Sequence, residues 1–265
     1  MPSDPIPFDP HRFRTAAQHY RAGRVPYPPA LIRRVAQAMP LGEEHRVLDL
    51  GCGPGQLAIG FGYFAAEVLG LDPEPRMLAA AAEAAQGLTP NVSFRQGSSY
   101  DLGPHLGRFH LVTMGRSFHW MDRADTLSRL DGLIESGGVI ALFRDAHLDV
   151  PQNAWRKQWR EITDRYASDD LVREQRRAGT WLPHESFLLA SAFSRLERVS
   201  LIAERLSTTE SLIDRALSMS SVSRARIGER ADQLVEELGA LLAEVAPEGT
   251  ASEVIEWSAL IARRG

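Results

Sequence analysis

Val47-Leu48-Asp49-Leu50-Gly51-Cys52-Gly53-Pro54-Gly55 is an apolar run that enters a cluster of glycines, with a helix-forming segment starting near Gln56. Glycines at 51, 53 and 55 let the backbone turn sharply and approach a ligand with no Cβ in the way. A dinucleotide fingerprint places its third glycine one residue later, where this chain has Gln56, and no Gly-Lys-Ser/Thr follows to form a phosphate-cradling loop. Twenty-one residues beyond Gly51, a second apolar run ends in Leu71-Asp72. A carboxylate there accepts hydrogen bonds from two ribose hydroxyls, and charge-assisted bonds of this kind contribute roughly 1.5–3 kcal/mol each. The pair specifies a nucleoside ligand. The plainer alternatives are an ordinary strand-helix turn and an Asp72 that only caps a helix starting at Pro73.

Gly115-Arg116-Ser117-Phe118-His119-Trp120 follows a later apolar run. His119 titrates in the range suited to taking a proton from a hydroxyl or amine near neutral pH, or else it orients the loop from within a packed helix start. Tyr20, Arg21 and Arg24 lie on a segment able to fold over a ligand, where an arginine either pairs with a carboxylate or faces water. Trp155 and Trp159 share one helix face and either line a second pocket or form the core of a cap. Arg173, Arg176 and Arg177 point weakly to an anionic partner, since charge runs on helices are usually solvated faces.

The elements that must position these groups alternate. Short apolar runs at 47–50, 68–71, 92–94, 111–114 and 139–143 read as buried strands, and 30–39, 73–86 and 122–135 read as helices. Such alternation implies a doubly wound α/β fold with a mainly parallel sheet, its ligand at the carboxyl ends of the strands. Beyond 143 the rhythm changes. Residues 153–166 and 171–177 are polar and helix-like, 196–206 and 254–262 read as two late strands that bring the sheet to seven, and 210–219 and 229–245 are helical. The expected organisation is a lid segment over 1–28 that includes a short helix at 11–20, then a ligand-binding core over 29–145. A helical cap insertion over 146–192 follows, and 193–265 completes the sheet and cap.

The 265 residues are 44% hydrophobic and 24% charged, values of a folded soluble chain. No apolar run approaches the roughly 18 residues needed to span a bilayer. Residues 1–10 carry Asp4 and Asp9 among four prolines, so the pattern of a secretory signal is missing and the chain is expected in the cytoplasm. Cys52 is the single cysteine, which rules out an internal disulfide and a thiolate metal cluster, and no metal site is expected. A net charge of −4 offers no general attraction to nucleic acid.

With these residues in place, the chain resembles the class I S-adenosylmethionine-dependent methyltransferases. The likeness is to the small-molecule group that includes trans-aconitate methyltransferase-like and ubiquinone-biosynthesis-like enzymes. Residues 47–55 match the family's first motif, 70–78 its acidic second motif, 95–102 the adenine segment and 109–122 the fourth strand with its following loop. The resemblance implies a Rossmann-like methyltransferase fold with S-adenosylmethionine as cofactor. It implies that Asp49 and the Gly51 and Gly53 backbone hold the methionine part, that Asp72 takes the ribose, and that Met77 packs on adenine or serves as helix core. Many relatives carry an acidic residue in the adenine segment, whereas this chain has Gly97-Ser98-Ser99-Tyr100, so backbone amides near Ser98 and Ser99, or the Asp101 carboxylate, take that place. Cys52, Pro73, Met114 and Gly115 complete the implied cofactor contacts, with Tyr20 and Arg24 closing over them and His119 as the candidate base. The expected reaction is methyl transfer to a small organic acceptor. The alternatives are a cofactor-binding protein without turnover and a nicotinamide-dependent oxidoreductase.

Overall fold

The computed structural model describes residues 7–9, 19, 22–168 and 171–265. Apart from His19, the helix expected over 11–20 lies outside the described residues, as do Tyr20 and Arg21.

Seven strands form one sheet: β1 (Arg46–Leu50), β2 (Glu67–Asp72), β3 (Val92–Gln96), β4 (Phe109–Gly115), β5 (Ile134–His147), β6 (Arg195–Thr208) and β7 (Thr250–Arg263). Their spatial order is β3-β2-β1-β4-β5-β7-β6. The first five are parallel, while β7 runs antiparallel to both β5 and β6. The sheet is therefore mainly parallel, as expected, and mixed only because β7 is reversed. An apolar run looks the same whichever way its strand points, so periodicity finds the strand and not its direction. The order reverses between β1 and β4, and the carboxyl ends of these neighbours open the crevice where ligands bind in such sheets.

Successive β1 side chains point to opposite faces. Val47 enters a core with Leu111 and Phe143, covered by α1 (Pro29–Ala38) and α2 (Gln56–Gly62). Leu48 and Leu50 enter the other core, with Leu69, Val112 and Ile140. Leu31, Ile32, Val35 and Ala36 are the buried stripe of α1, as their spacing predicts. α3 (Pro75–Ala85) lies on the first face as well, where Ala81 approaches Phe94 beside Gly55, and α4 (Arg123–Asp131) lies on the second, where Leu127 and Leu130 join the core. The latter stops four residues short of the expected end because Ile134 is recruited into β5, where it pairs with Phe109.

The helices after β5 are α5 (Arg156–Tyr166), α6 (Leu171–Arg177) and α7 (His184–Leu189); those between β6 and β7 are α8 (Thr209–Leu217), α9 (Arg224–Ile227) and α10 (Arg230–Val245). Trp159 packs with Ala216, Leu234 and Leu238 in a core of their own, and Trp155 lies against it. The two tryptophans are thus cap core. One buried ionic cluster joins cap to sheet: Glu253 of β7, fully buried, accepts from Arg215 of α8 at 2.5 and 3.0 Å, Arg156 of α5 at 2.6 Å and Ser207 at 2.5 Å. Arg215 also donates through Nε to the Gly23 carbonyl at 3.0 Å. A Cβ on Gly23 would lie 2.3 Å from the Arg215 nitrogen, so only glycine lets the N-terminal segment rest on the cap. No helix among the described residues is long and apolar enough to cross a membrane.

Candidate active site

The turn after β1 is held by the end of β2. Gly51 and Cys52 donate their N–H groups to the Leu71 carbonyl at 2.8 and 2.9 Å. Gly51 takes a φ of 69°, and a Cβ there would come 2.6 Å from the Ser117 Cβ. Asp72 accepts from the Gly53 N–H at 2.8 Å on one oxygen and from the Glu74 N–H at 2.9 Å on the other. A carboxylate has about four lone-pair sites, so each oxygen keeps one for a ligand hydroxyl. The helix cap is Glu74, whose side chain accepts from the Arg76 N–H; the simple capping reading of Asp72 is therefore replaced. Burial pushes the Asp72 carboxyl up to about 6. Asp49 accepts from the Ala58 N–H at 3.0 Å and the Thr113 hydroxyl at 2.8 Å, and burial raises it to about 7. Two carboxyls pushed upward in this way are relieved by a cation.

A cavity of about 810 Å³ opens over this turn, lined by Gly51, Gly53, Asp72, Pro73, Met77, Ser98, Ser99 and Gly115. Eight of the residues expected to hold the cofactor therefore meet in one place. Asp49 and Cys52 line a smaller adjoining cavity of about 290 Å³ with Tyr27 and Gln56. Met114 points elsewhere, its side chain buried in the second core and bordering a different cavity. Arg24 lines none of these cavities and donates to the Ser218 carbonyl at 3.2 Å. Ser98 and Asp101 satisfy one another: the Ser98 N–H and hydroxyl both reach one Asp101 oxygen at 2.8 Å. That engages the Ser98 amide and hydroxyl within the loop, while both Ser98 and Ser99 stay on the cavity wall.

Sequence reasoning missed part of the wall. Pro7, Phe8 and Asp9 line the cavity, and the Phe8 ring meets Tyr100 edge-on at 5.4 Å. No spacing rule connects residue 8 to residue 100. Phe8→Ala is expected to weaken cofactor binding about 2- to 10-fold, the worth of one aromatic contact, and calorimetric titration checks it.

Arg116 and Ser117 are shared with a second cavity of about 990 Å³, whose wall also includes His119, Arg144, Asp145, Arg176, Trp181 and His184. Arg116 is the one non-glycine residue with positive φ among the described residues, at 57°. Strain of this kind is kept where surrounding contacts over-determine it. The Arg116 guanidinium donates to the Tyr27 hydroxyl at 2.9 Å and the Val25 carbonyl at 2.6 Å, and pairs with Asp145 at 3.0 Å. It thereby fastens the N-terminal segment to the boundary between the cavities. Nothing in the hydrophobic pattern marks it.

His119 lies on this second wall, with ring centroids 4.5 Å from Trp120 and 6.4 Å from His184. Among the described residues its ring nitrogens have no hydrogen-bond partner. Burial, then His184 and Arg176, hold its pKa well below the ordinary histidine value. His184 is lowered to about 4 by burial and the Arg123 guanidinium. Arg116 pairs with Asp145, and Arg198 with Glu185. Among the described residues Arg144 and Arg176 have no carboxylate partner, so this wall carries excess positive charge. Of the three arginines read from α6, only Arg176 reaches the cavity; Arg173 pairs with Asp164 at 3.0 Å.

At the opposite edge of the sheet, His45, His110 and Glu135 bring one ligand atom each within 4.8 Å of one another. Their polar atoms are engaged locally: His45 Nδ1 accepts the Gly42 N–H at 3.1 Å, and His110 Nδ1 lies 3.2 Å from Glu135.

A mixed seven-stranded sheet with a glycine turn facing a buried aspartate defines a Rossmann-like methyltransferase fold, and comparison with known proteins agrees. The family described as "Methyltransferase domain" matches residues 47–138. A trans-aconitate 2-methyltransferase of Methylobacterium radiotolerans is 34% identical over 116 residues, 43% of this chain and 43% of that protein. The aligned part thus spans less than half of that relative. The uncharacterised methyltransferase Mb3374 of Mycobacterium bovis is 26% identical over 78% of this chain and 76% of its own length. The methyltransferase of Thiobacillus denitrificans, solved with S-adenosyl-L-homocysteine, superposes with a TM-score of 0.55 at 17% identity, covering 99% of this chain and all of that one. The family match thus covers about a third of the chain, the part that carries the glycine turn and Asp72, and the superposition shows the same fold over nearly the whole chain.

Proposed function

We propose that this protein transfers the methyl group of S-adenosylmethionine to a small organic acceptor held in the second cavity. The observation that carries the reading is the meeting of two cavities at Arg116 and Ser117, one built for a nucleoside and the other lined by His119. The cofactor supplies a methyl group already activated on a sulfonium, so the protein's work is to hold the groups in line, and proximity contributes roughly 7–11 kcal/mol in such reactions. Asp72 accepts the ribose hydroxyls. Asp49, raised by burial, faces the smaller cavity with Gly51 and Cys52, where an ammonium group restores its charge. Met77 packs under the base, and the described N-terminal residues, Pro7 to Asp9 on the cavity wall and 22–28 pinned through Gly23 and Arg116, close the site. The cap over 146–192, through its Arg176 and with Arg144 of β5 beside it, selects an acceptor bearing negative charge. The net charge of −4 favours a small molecule over nucleic acid as the acceptor.

His119 takes the acceptor proton. Its lowered pKa keeps the imidazole neutral at pH 7 and well below, so it remains a proton acceptor where an ordinary histidine would be charged. His119→Ala is expected to lower kcat about 100-fold with cofactor affinity unchanged. The wild-type rate should hold level as pH falls from 8 to 6, because protonation of the base comes later. A variant with wild-type turnover, or a wild-type rate that halves near pH 6.5, removes His119 as the base. A nicotinamide oxidoreductase requires binding of NAD(H) or NADP(H), and equilibrium dialysis against both cofactor classes separates it from methyl transfer.

A further inference from the structure

β6 is an edge strand of fourteen residues, paired along its whole length with β7 and with no strand on its other side among the described residues. Natural edges are blunted by brevity, Pro, a bulge or charged side chains. Arg195–Thr208 contains no Pro and its register with β7 runs unbroken, so only its charges, on Arg195, Glu197, Arg198, Glu204 and Arg205, guard the edge, and these guard it against a partner whose charges do not match. The Ser200 carbonyl takes the Arg34 guanidinium at 3.3 Å and keeps a second lone pair. Ile202 and Leu206 on this strand are 58% and 67% exposed.

The strand reads Leu-Glu-Arg-Val-Ser-Leu-Ile-Ala-Glu-Arg-Leu over residues 196–206, and this order is complementary to itself when reversed. Laid antiparallel about Leu201, Glu197 of one copy stands opposite Arg205 of the other, Arg198 opposite Glu204, and Leu196 opposite Leu206. The faces agree as well. Val199, Leu201 and Ala203 pack toward the core under α1, so odd positions share one face and even positions the other. Every pair named joins like parity. We propose that two copies of this chain associate through β6, antiparallel about a two-fold axis at Leu201, joining their sheets into one. A two-fold contact must be self-complementary, and a random charged strand paired in this register would oppose like charges about as often as unlike ones. The present partners of Glu197 and Arg198 are Arg263 and Glu185, exposed pairs that exchange at little cost.

Sedimentation of the full chain at micromolar concentration is expected to give twice the 29.3 kDa chain mass. Glu204→Arg places a second guanidinium opposite Arg198, twice across the axis, and should weaken the dimer at least about 10-fold. Adding Arg198→Glu to it reverses both charges and should restore association, an outcome that loss of fold or an unrelated interface does not produce. Leu201→Cys faces itself across the axis and should give a disulfide-linked dimer with oxidised glutathione, while Arg195→Cys, far from its own copy, should not; the native Cys52 is buried. A monomeric wild type overturns the proposal, as does a dimer indifferent to Glu204→Arg, or a folded double variant that stays monomeric.

Discussion

Asp72→Ala should weaken S-adenosylmethionine binding by at least about 100-fold, the equivalent of losing two charge-assisted hydrogen bonds at roughly 1.5–3 kcal/mol each. The same substitution releases the Gly53 N–H that Asp72 holds at 2.8 Å, so the turn loosens as well. Asp72→Asn keeps the shape, removes the charge and should fall between the two. The pH dependence has a definite sign. The carboxyl of the free protein titrates at about 6 because it is buried, and ribose hydroxyls bond best to its ionised form. Affinity is therefore expected to rise from pH 5 to 7 in the wild type and to stay flat over that range in Asp72→Asn. Calorimetric titration with S-adenosylhomocysteine measures both. Undiminished affinity in Asp72→Ala would remove the central contact of the proposed site.

Glu253→Gln should destabilise the fold by about 3–5 kcal/mol, because it leaves Arg156 and Arg215 buried without their counter-charge. In a chain of this size the melting temperature should drop by about 10 °C. Against the upward push of burial, His147, Arg215 and Ser207 hold the Glu253 carboxyl well below the usual glutamate range. A depressed carboxylate contributes stability that is complete above its unfolded value near 4.5 and is lost as pH falls toward its folded value. The wild type should thus lose stability between pH 5 and 3 more steeply than Glu253→Gln. Scanning calorimetry at pH 7 and at pH 4 reads both effects, and a variant melting within 2 °C of the wild type at pH 7 would show the cluster to be dispensable. Cofactor affinity should fall less than stability, since Glu253 touches neither cavity.

The core of the site was legible because local chemistry constrains it. Gly51 needs a positive φ and an open approach, and Asp72 ends the adjacent strand; both demands fall on residue types that stand out in the sequence. The periodic apolar runs locate all seven strands, since burial acts on each segment separately. What lay beyond reach came from distant parts of the chain. Phe8 against Tyr100, Arg116 between Val25 and Asp145, and the charged wall of Arg144 and Arg176 join segments that no spacing rule relates. Arg24 and Met114, which the resemblance assigns to the cofactor, do not line the first cavity: Arg24 donates to the Ser218 carbonyl and Met114 is buried in the second core.

The sequence by itself determined the strands and helices, the glycine turn and the acidic residue that faces it, because side-chain volume, backbone freedom and apolar spacing are properties of short segments. The tertiary structure alone decided the direction of β7, the burial of Glu253 among arginines and the pairing of two cavities at Arg116. Those depend on which segments meet and on the low dielectric they create together, and neither is written in any one stretch of the chain.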